Sequence, residues 1–218
     1  MTSSNPAASP KTTPARGDGH AALTSLLMHR DDSSTLTRLQ ADLAHQAAGR
    51  ELLDVAFCTL DTPVGSLLLA ATPAGLVRVA FPNEDHGQVL AALAKRISPR
   101  ILHDTARLDQ AARQIDQYFT RARQSFELAL DMQLAHGFRL AVLNQLTQIT
   151  YGTTASYSRV AAAAGNPKAV RAAGSACATN PLPIVIPCHR VLRSDGSLGG
   201  YAGGLDTKRA LLSLEASA

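Results

Sequence analysis

The sequence predicts an α/β domain followed by a mainly α-helical domain with a helix-turn-helix. Three short segments rich in branched and apolar residues, 52–60, 66–71 and 76–81, are separated by Asp61-Thr62-Pro63-Val64-Gly65 and Thr72-Pro73-Ala74-Gly75. Pro- and Gly-bearing turns between such segments mark an antiparallel meander. Amphipathic stretches at 85–96 and 106–123 add two helices to it. Farther on, two short helical segments, 156–164 and 168–179, flank the tight turn Gly165-Asn166-Pro167, which is the helix-turn-helix pattern. The expected division is a lead and helical extension over 1–50, an α/β domain over 51–131 and a helical domain over 132–218.

The 218 residues, 45% of them hydrophobic, suffice for two cores, and no apolar run approaches the roughly 20 residues of a membrane span. Residues 1–19 are rich in Ser, Pro, Thr and Ala and lack the apolar stretch of a signal peptide, so they are expected to be a disordered lead. From 20 to 50 the Leu spacing is helical (Leu23, Leu26, Leu27, then Leu36, Leu39, Leu43), with a break at Asp31-Asp32-Ser33-Ser34, and predicts a packing face. A further strand is expected at 126–130 and a helix at 138–149. Cys58, inside the first strand, is expected in the core. Ser156 is placed to cap the helix that follows it.

Charge is uneven along the chain. Residues 151–218 hold seven Lys and Arg against three Asp and Glu, which accounts for the whole net charge of +4, while the remainder balances at 14 of each sign. A basic segment is a candidate phosphate-binding surface or simply a solvated face. The three cysteines, Cys58, Cys177 and Cys188, form no CxxC pair, which fits a reducing cytoplasm. The seven histidines are scattered without zinc-ligand spacing to a cysteine, so no structural metal is expected. The glycines match neither GxGxxG nor a P-loop, so no nucleotide cofactor is expected.

The most informative stretch is Ile184-Val185-Ile186-Pro187-Cys188-His189-Arg190-Val191. It predicts a buried strand stopped by Pro187 that presents the Cys188 thiol at its end. Arg190 and a protonated His189 would favour the thiolate, which is the nucleophilic form. The alternative is an inert core cysteine. The helix before it is almost without large side chains (Ala169, Ala172, Ala173, Gly174, Ser175, Ala176, Ala178), and Arg171 is its single long cation. Such a helix suits a close approach to a shape rather than the reading of base edges, or tight packing on another helix. After Cys188 comes a loop with five glycines in nine residues and one aromatic, Tyr201, able to lie against a planar ligand or to be a loose connector. The last helix, 206–215, returns Glu215 towards His189.

These residues together resemble the O6-alkylguanine-DNA alkyltransferases, also called methylated-DNA–protein-cysteine methyltransferases. The likeness runs through Ser156-Tyr157, the stretch from Ala164 to Ala172, Asn180-Pro181, Pro187-Cys188-His189-Arg190-Val191 and Gly200-Tyr201-Ala202-Gly203-Gly204, and covers about residues 52–216. It implies a ribonuclease-H-like N-terminal domain and a C-terminal domain of winged helix-turn-helix type. The implied chemistry is irreversible alkyl transfer from O6 of guanine in duplex DNA to Cys188, with O4 of thymine as a further candidate source. His189 would be the base acting through a water, oriented by Glu215. Asn180 would brace the turn and Tyr157 would assist the leaving guanine. Arg171, Val191, Tyr201, Ala202 and Cys177 would shape the base site. Lys168, Ala169, Ala172, Ala173, Ser175, Ala176 and Arg190 would face DNA. The partner implied is double-stranded DNA containing O6-alkylguanine, bound by a monomer with room for cooperative clustering, without cofactor or membrane.

The sequence departs from the family at Leu143-Asn144, where a tryptophan is frequent, and at Thr150, where proline is common. Cys177 replaces a larger apolar residue, residues 1–50 have no counterpart, and the zinc ligands of some relatives are missing. Two other readings compete: a non-catalytic binder of alkylated DNA, against which the presence of Cys188 speaks, and a cysteine hydrolase, which leaves the small-residue helix unexplained.

Overall fold

The computed structural model describes Met1, residues 32–49 and residues 53–216. The expected disordered lead and the Leu23, Leu26 and Leu27 helix lie outside the described residues. The chain divides into two compact units, Met1–Leu39 and Gln40–Ala218. Residues 32–39 belong to helix α1 (Asp32–Gly49), on which Leu36, Leu39 and Leu43 are all more than half exposed. The expected packing face is therefore not buried there.

Three strands follow as the meander expects: β1 (Val55–Thr62), β2 (Gly65–Thr72) and β3 (Gly75–Ala80), paired antiparallel through Cys58↔Leu69 and Leu69↔Val79. A fourth strand, β4 (Ile101–His103), joins the free edge of β1 in parallel, giving the order β3-β2-β1-β4. Three residues are too few for alternation to announce it. Helix α2 (His86–Arg96) starts at Asp85, whose carboxylate accepts from the amides of Gly87 and Gln88. Helix α3 (Thr105–Phe119) is capped in the same way by Asp104 and buries Leu108, Ala111, Ile115 and Tyr118 at three- and four-residue spacing. It stops short of the expected residue 123 because Arg121 turns to a positive φ of 62°. The expected strand at 126–130 reduces to one bridge, Leu76↔Leu130.

The C-terminal part holds α4 (Gly137–Leu146), α5 (Tyr157–Ala163), α6 (Val170–Ala178) and α7 (Gly204–Ala216). The Ser156 hydroxyl caps α5 by accepting from the Arg159 amide at 3.2 Å. Two short strands, β5 (Ala155–Ser156) and β6 (Val191–Leu192), pair in parallel beside it. Helix α6 begins two residues later than expected, after Ala169.

The sheet domain and the helical domain share one core. Cys58, Leu69, Phe81, Ile115 and Tyr118 from the first belong to the same buried cluster as Val142, Leu146, Ala173, Ile184, Cys188 and Leu211 from the second. Each fully buried large side chain in it contributes about 1.5–3 kcal/mol. The amide of Val79 on β3 also donates to the Pro181 carbonyl at 2.8 Å. The chain ahead of Cys188 is thereby stitched to the sheet edge.

Candidate active site

The stretch leading to Cys188 is buried as expected but is not a strand. Pro181, Pro183 and Pro187 remove three ladder donors, and Ile184 adopts a φ of 72°. The chain coils instead: the Ile186 amide donates to the Leu182 carbonyl, and Cys188, His189 and Arg190 form one 3₁₀ turn. Strain of this kind is held in place by surrounding bonds. Asn180 supplies them. Its amide donates to the Ile186 carbonyl at 2.8 Å and to Cys188 Sγ at 3.1 Å, while its oxygen accepts from the Leu182 amide at 3.0 Å.

Glu215 is the second organising group. Its Oε1 accepts from the Tyr118 hydroxyl at 2.8 Å and from His189 Nε2 at 2.9 Å. The Arg190 guanidinium grips both oxygens at 2.9 Å, and the Gly152 amide donates to Oε2 at 3.2 Å. Burial alone would raise this carboxyl, yet the hydrogen bonds of His189 and Arg190 and the Arg190 charge hold it down at about 2. It is a carboxylate at neutral pH, so His189 Nε2 must carry the proton it donates. The other ring nitrogen, Nδ1, is buried and has no partner among the described residues. Burial also lowers the His189 pKa despite Glu215, which leaves a neutral imidazole with a free lone pair.

The expected favouring of the thiolate by Arg190 is not met at rest. Cys188 is 2% exposed, and burial pushes its thiol up to about 11, only partly offset by the Asn180 amide and the Lys208 charge. Ionising it at pH 7 costs on the order of 5 kcal/mol. Arg190 does not help, because its charge is taken by Glu215. Arg190 is likewise not a DNA contact as expected: it is 6% exposed, donates to the Ile149 carbonyl and covers the Tyr151 ring at 5.7 Å.

Lys208, which pattern reasoning passed over, is fully buried. Its Nζ donates to the Val191 carbonyl at 2.6 Å, reaches the Gly199 carbonyl at 3.5 Å and lies 5.9 Å from the Tyr157 ring centre. The signal was available, since Lys208, Leu211 and Glu215 are spaced for one face of α7, and all three are buried. Tyr118, which the resemblance matches only as part of Tyr118-Phe119, was likewise given no role in the site.

Around the thiol, Tyr157 and Tyr201 are protonated donors. Burial above all pushes the Tyr157 hydroxyl up to about 12. Tyr201 packs edge-on against Phe81 at 5.4 Å and His189 at 6.3 Å, and its buried hydroxyl has no partner among the described residues. Ala202 is tied by its carbonyl to Asn83 at 2.8 Å. Glycine is required in this loop for contact with the protein's own rings: a Cβ on Gly199 would lie 2.3 Å from the Tyr157 hydroxyl, and one on Gly203 2.9 Å from Phe81. Cys177 is buried beside the site, and burial pushes it up to about 12.

Two family descriptions match this chain: "6-O-methylguanine DNA methyltransferase, ribonuclease-like domain" over residues 55–132 and "6-O-methylguanine DNA methyltransferase, DNA binding domain" over residues 137–217. The chain belongs to the 6-O-methylguanine DNA methyltransferase family. A methylated-DNA–protein-cysteine methyltransferase of Methanosarcina barkeri is 38% identical over 156 residues, covering 72% of this chain and 94% of the relative. The inducible enzyme of Bacillus subtilis is 40% identical over 148 residues, covering 67% and 82%. The solved structure described as Mycobacterium tuberculosis OGT in complex with DNA has 35% identity and a TM-score of 0.65, covering 74% of this chain and 93% of that one.

On the helix-turn-helix of this methyltransferase the expected DNA-facing residues divide into two sets. Lys168, Arg171, Ala172 and Ser175 are exposed, and Ala169 is half-buried. Ala173 and Ala176 are not on that face: both are buried, turned into the core where α6 packs on α4 and α5. The small side chains thus serve close helix packing on one side and a smooth exposed surface on the other.

Proposed function

We propose that this chain repairs duplex DNA by moving an alkyl group irreversibly from O6 of guanine to Cys188, once per molecule. Cys188 Sγ forms a bond to the alkyl carbon in line as the carbon–O6 bond breaks, and the electron pair leaves with guanine. The thiol proton passes through a water to His189 Nδ1, while Glu215 and Tyr118 hold the ring from its other side. Tyr157 donates to N3 of the departing guanine. The carbonyls of Cys188 and Val191 accept from its exocyclic amine, Val191 being fixed by Lys208.

A thiol this buried cannot be met by a base inside a duplex, so the guanine is everted and the Tyr201-Ala202 segment shifts to admit it. Arg171, the long cation on the exposed face of α6, fills the gap left in the stack. O4-alkylthymine, whose alkyl oxygen is placed similarly, is a second substrate. The unpaired cysteines suit a cytoplasmic setting.

The observation that supports this reading best is the pairing of an Asn180-held thiol with an adjoining imidazole anchored through one nitrogen and free at the other. The test is incubation with a duplex containing O6-methylguanine, followed by proteolysis and mass spectrometry. A single methyl group on the Cys188 peptide, stoichiometric and absent in Cys188→Ser, is expected. An unmodified Cys188 peptide after loss of the lesion would overturn it.

A further inference from the structure

Beside the active-site turn, a cavity of about 540 Å³ lies between α2 and the end of α6. Arg78 from β3, Arg96 from α2 and Arg139 from α4 all line it. Two carboxylates line it too, and both are already engaged. Glu84 pairs with Arg78 and accepts from the Phe81 amide, and Asp85 caps α2. That leaves two guanidiniums without a carboxylate among the described residues. Arg96 has one long contact, 3.5 Å, to the Leu134 carbonyl. Arg139 donates through one terminal nitrogen to the Thr179 carbonyl, but its Nε is sealed from solvent with no partner among the described residues.

Such an arrangement is costly as it stands. A buried N–H without an acceptor loses its hydration for nothing, and the two guanidiniums without a carboxylate repel each other. The Arg139 pKa is lowered by burial and then by the charges of Arg96 and Arg78. An oxyanion in the cavity offsets the repulsion between the Arg96 and Arg139 guanidiniums, since a guanidinium presents several donors in a fork that matches phosphate oxygens. Val89, Leu93 and Leu134 supply an apolar wall beside these donors. We propose that this cavity binds a small phosphate-bearing molecule, with its phosphate held between Arg96 and Arg139.

The site adjoins the C-terminal end of the exposed face of α6, where exposed Ala178 and Thr179 form part of its wall. It touches the catalytic turn, because Asn180, whose amide holds Cys188 Sγ, is on its wall.

The experiment is calorimetric titration of the full chain with inorganic pyrophosphate at constant ionic strength set by sodium chloride. One equivalent is expected to bind, with affinity weakened at least about tenfold in both Arg96→Gln and Arg139→Gln and unchanged in Arg113→Gln. Arg113 is a surface arginine paired with Asp109. Arg96 is exposed at the end of α2, so its variant tests the site even where Arg139→Gln loosens the fold. No binding up to about 10 mM, or equal affinity in wild type and Arg96→Gln, would overturn the proposal. So would a loss of duplex-DNA affinity in Arg96→Gln as large as its loss of pyrophosphate affinity, which would give these arginines to the DNA backbone.

Discussion

Replacing Arg190 by methionine separates two roles that this residue could have. The side chain is 6% exposed and holds both oxygens of Glu215, itself 3% exposed. Methionine keeps the volume but leaves a buried carboxylate without its main counter-charge and the Ile149 carbonyl without its donor. Removing one partner of a buried pair costs about 3–5 kcal/mol. For a chain of this size that lowers the melting temperature by roughly 6–20 °C. Urea unfolding at pH 7 measures the loss, and duplex-DNA affinity at several salt concentrations measures the other role. Arg190→Met should leave the slope of log affinity against log salt unchanged, whereas loss of a phosphate contact lowers it by about 0.9. Arg171→Gln, at an exposed position, should do the reverse: a reduced slope and a stability change within about 0.5 kcal/mol. A stable Arg190→Met protein with a reduced slope would refute the buried-pair account.

Acid titration gives a second check. The Glu215 carboxyl sits at about 2 in the folded chain against 4.5 when free, so its contribution, about 3 kcal/mol, is complete above pH 4.5 and is lost as pH falls to 2. Glu215→Gln should flatten that part of the stability curve, and an unchanged acid limb would contradict it. Gly199→Ala, which drives a methyl into the Tyr157 hydroxyl, should slow alkyl transfer about tenfold at saturating DNA, while Gly200→Ala, with open space around it, should not. Equal rates would remove Tyr157 from the reaction. Lys208→Met should cut the single-turnover rate by about tenfold or more and shift its pH dependence upward, since a cation that favours the thiolate is gone. An unaltered pH profile would leave Lys208 with packing alone.

Much of the fold was legible because its signals are local. The three meander strands, the Ser156 cap and the Gly165-Asn166-Pro167 turn each follow from residues within a few positions of one another. What stayed hidden depends on distant partners. The three-residue β4 exists only because β1 offers it an edge. Pro181, Pro183 and Pro187, each readable, add up to a coil rather than a strand once Asn180 supplies the bonds that a ladder would have given. The site residues Cys188, His189, Asn180 and Glu215 were named from the motif. The influence of Arg190 on the thiol was misjudged, because sequence adjacency says nothing about where its charge goes. That charge goes to Glu215, 25 residues on.

A thiol kept protonated has a bearing on how long an unused molecule lasts. With burial holding Cys188 near 11, roughly one molecule in ten thousand carries the sulfur anion at pH 7. Peroxides and stray electrophiles, which attack the anion, are slowed by a similar factor. A protein able to act only once thus has a long shelf life, its single reaction reserved for the moment when the substrate and the neighbouring imidazole meet the sulfur together.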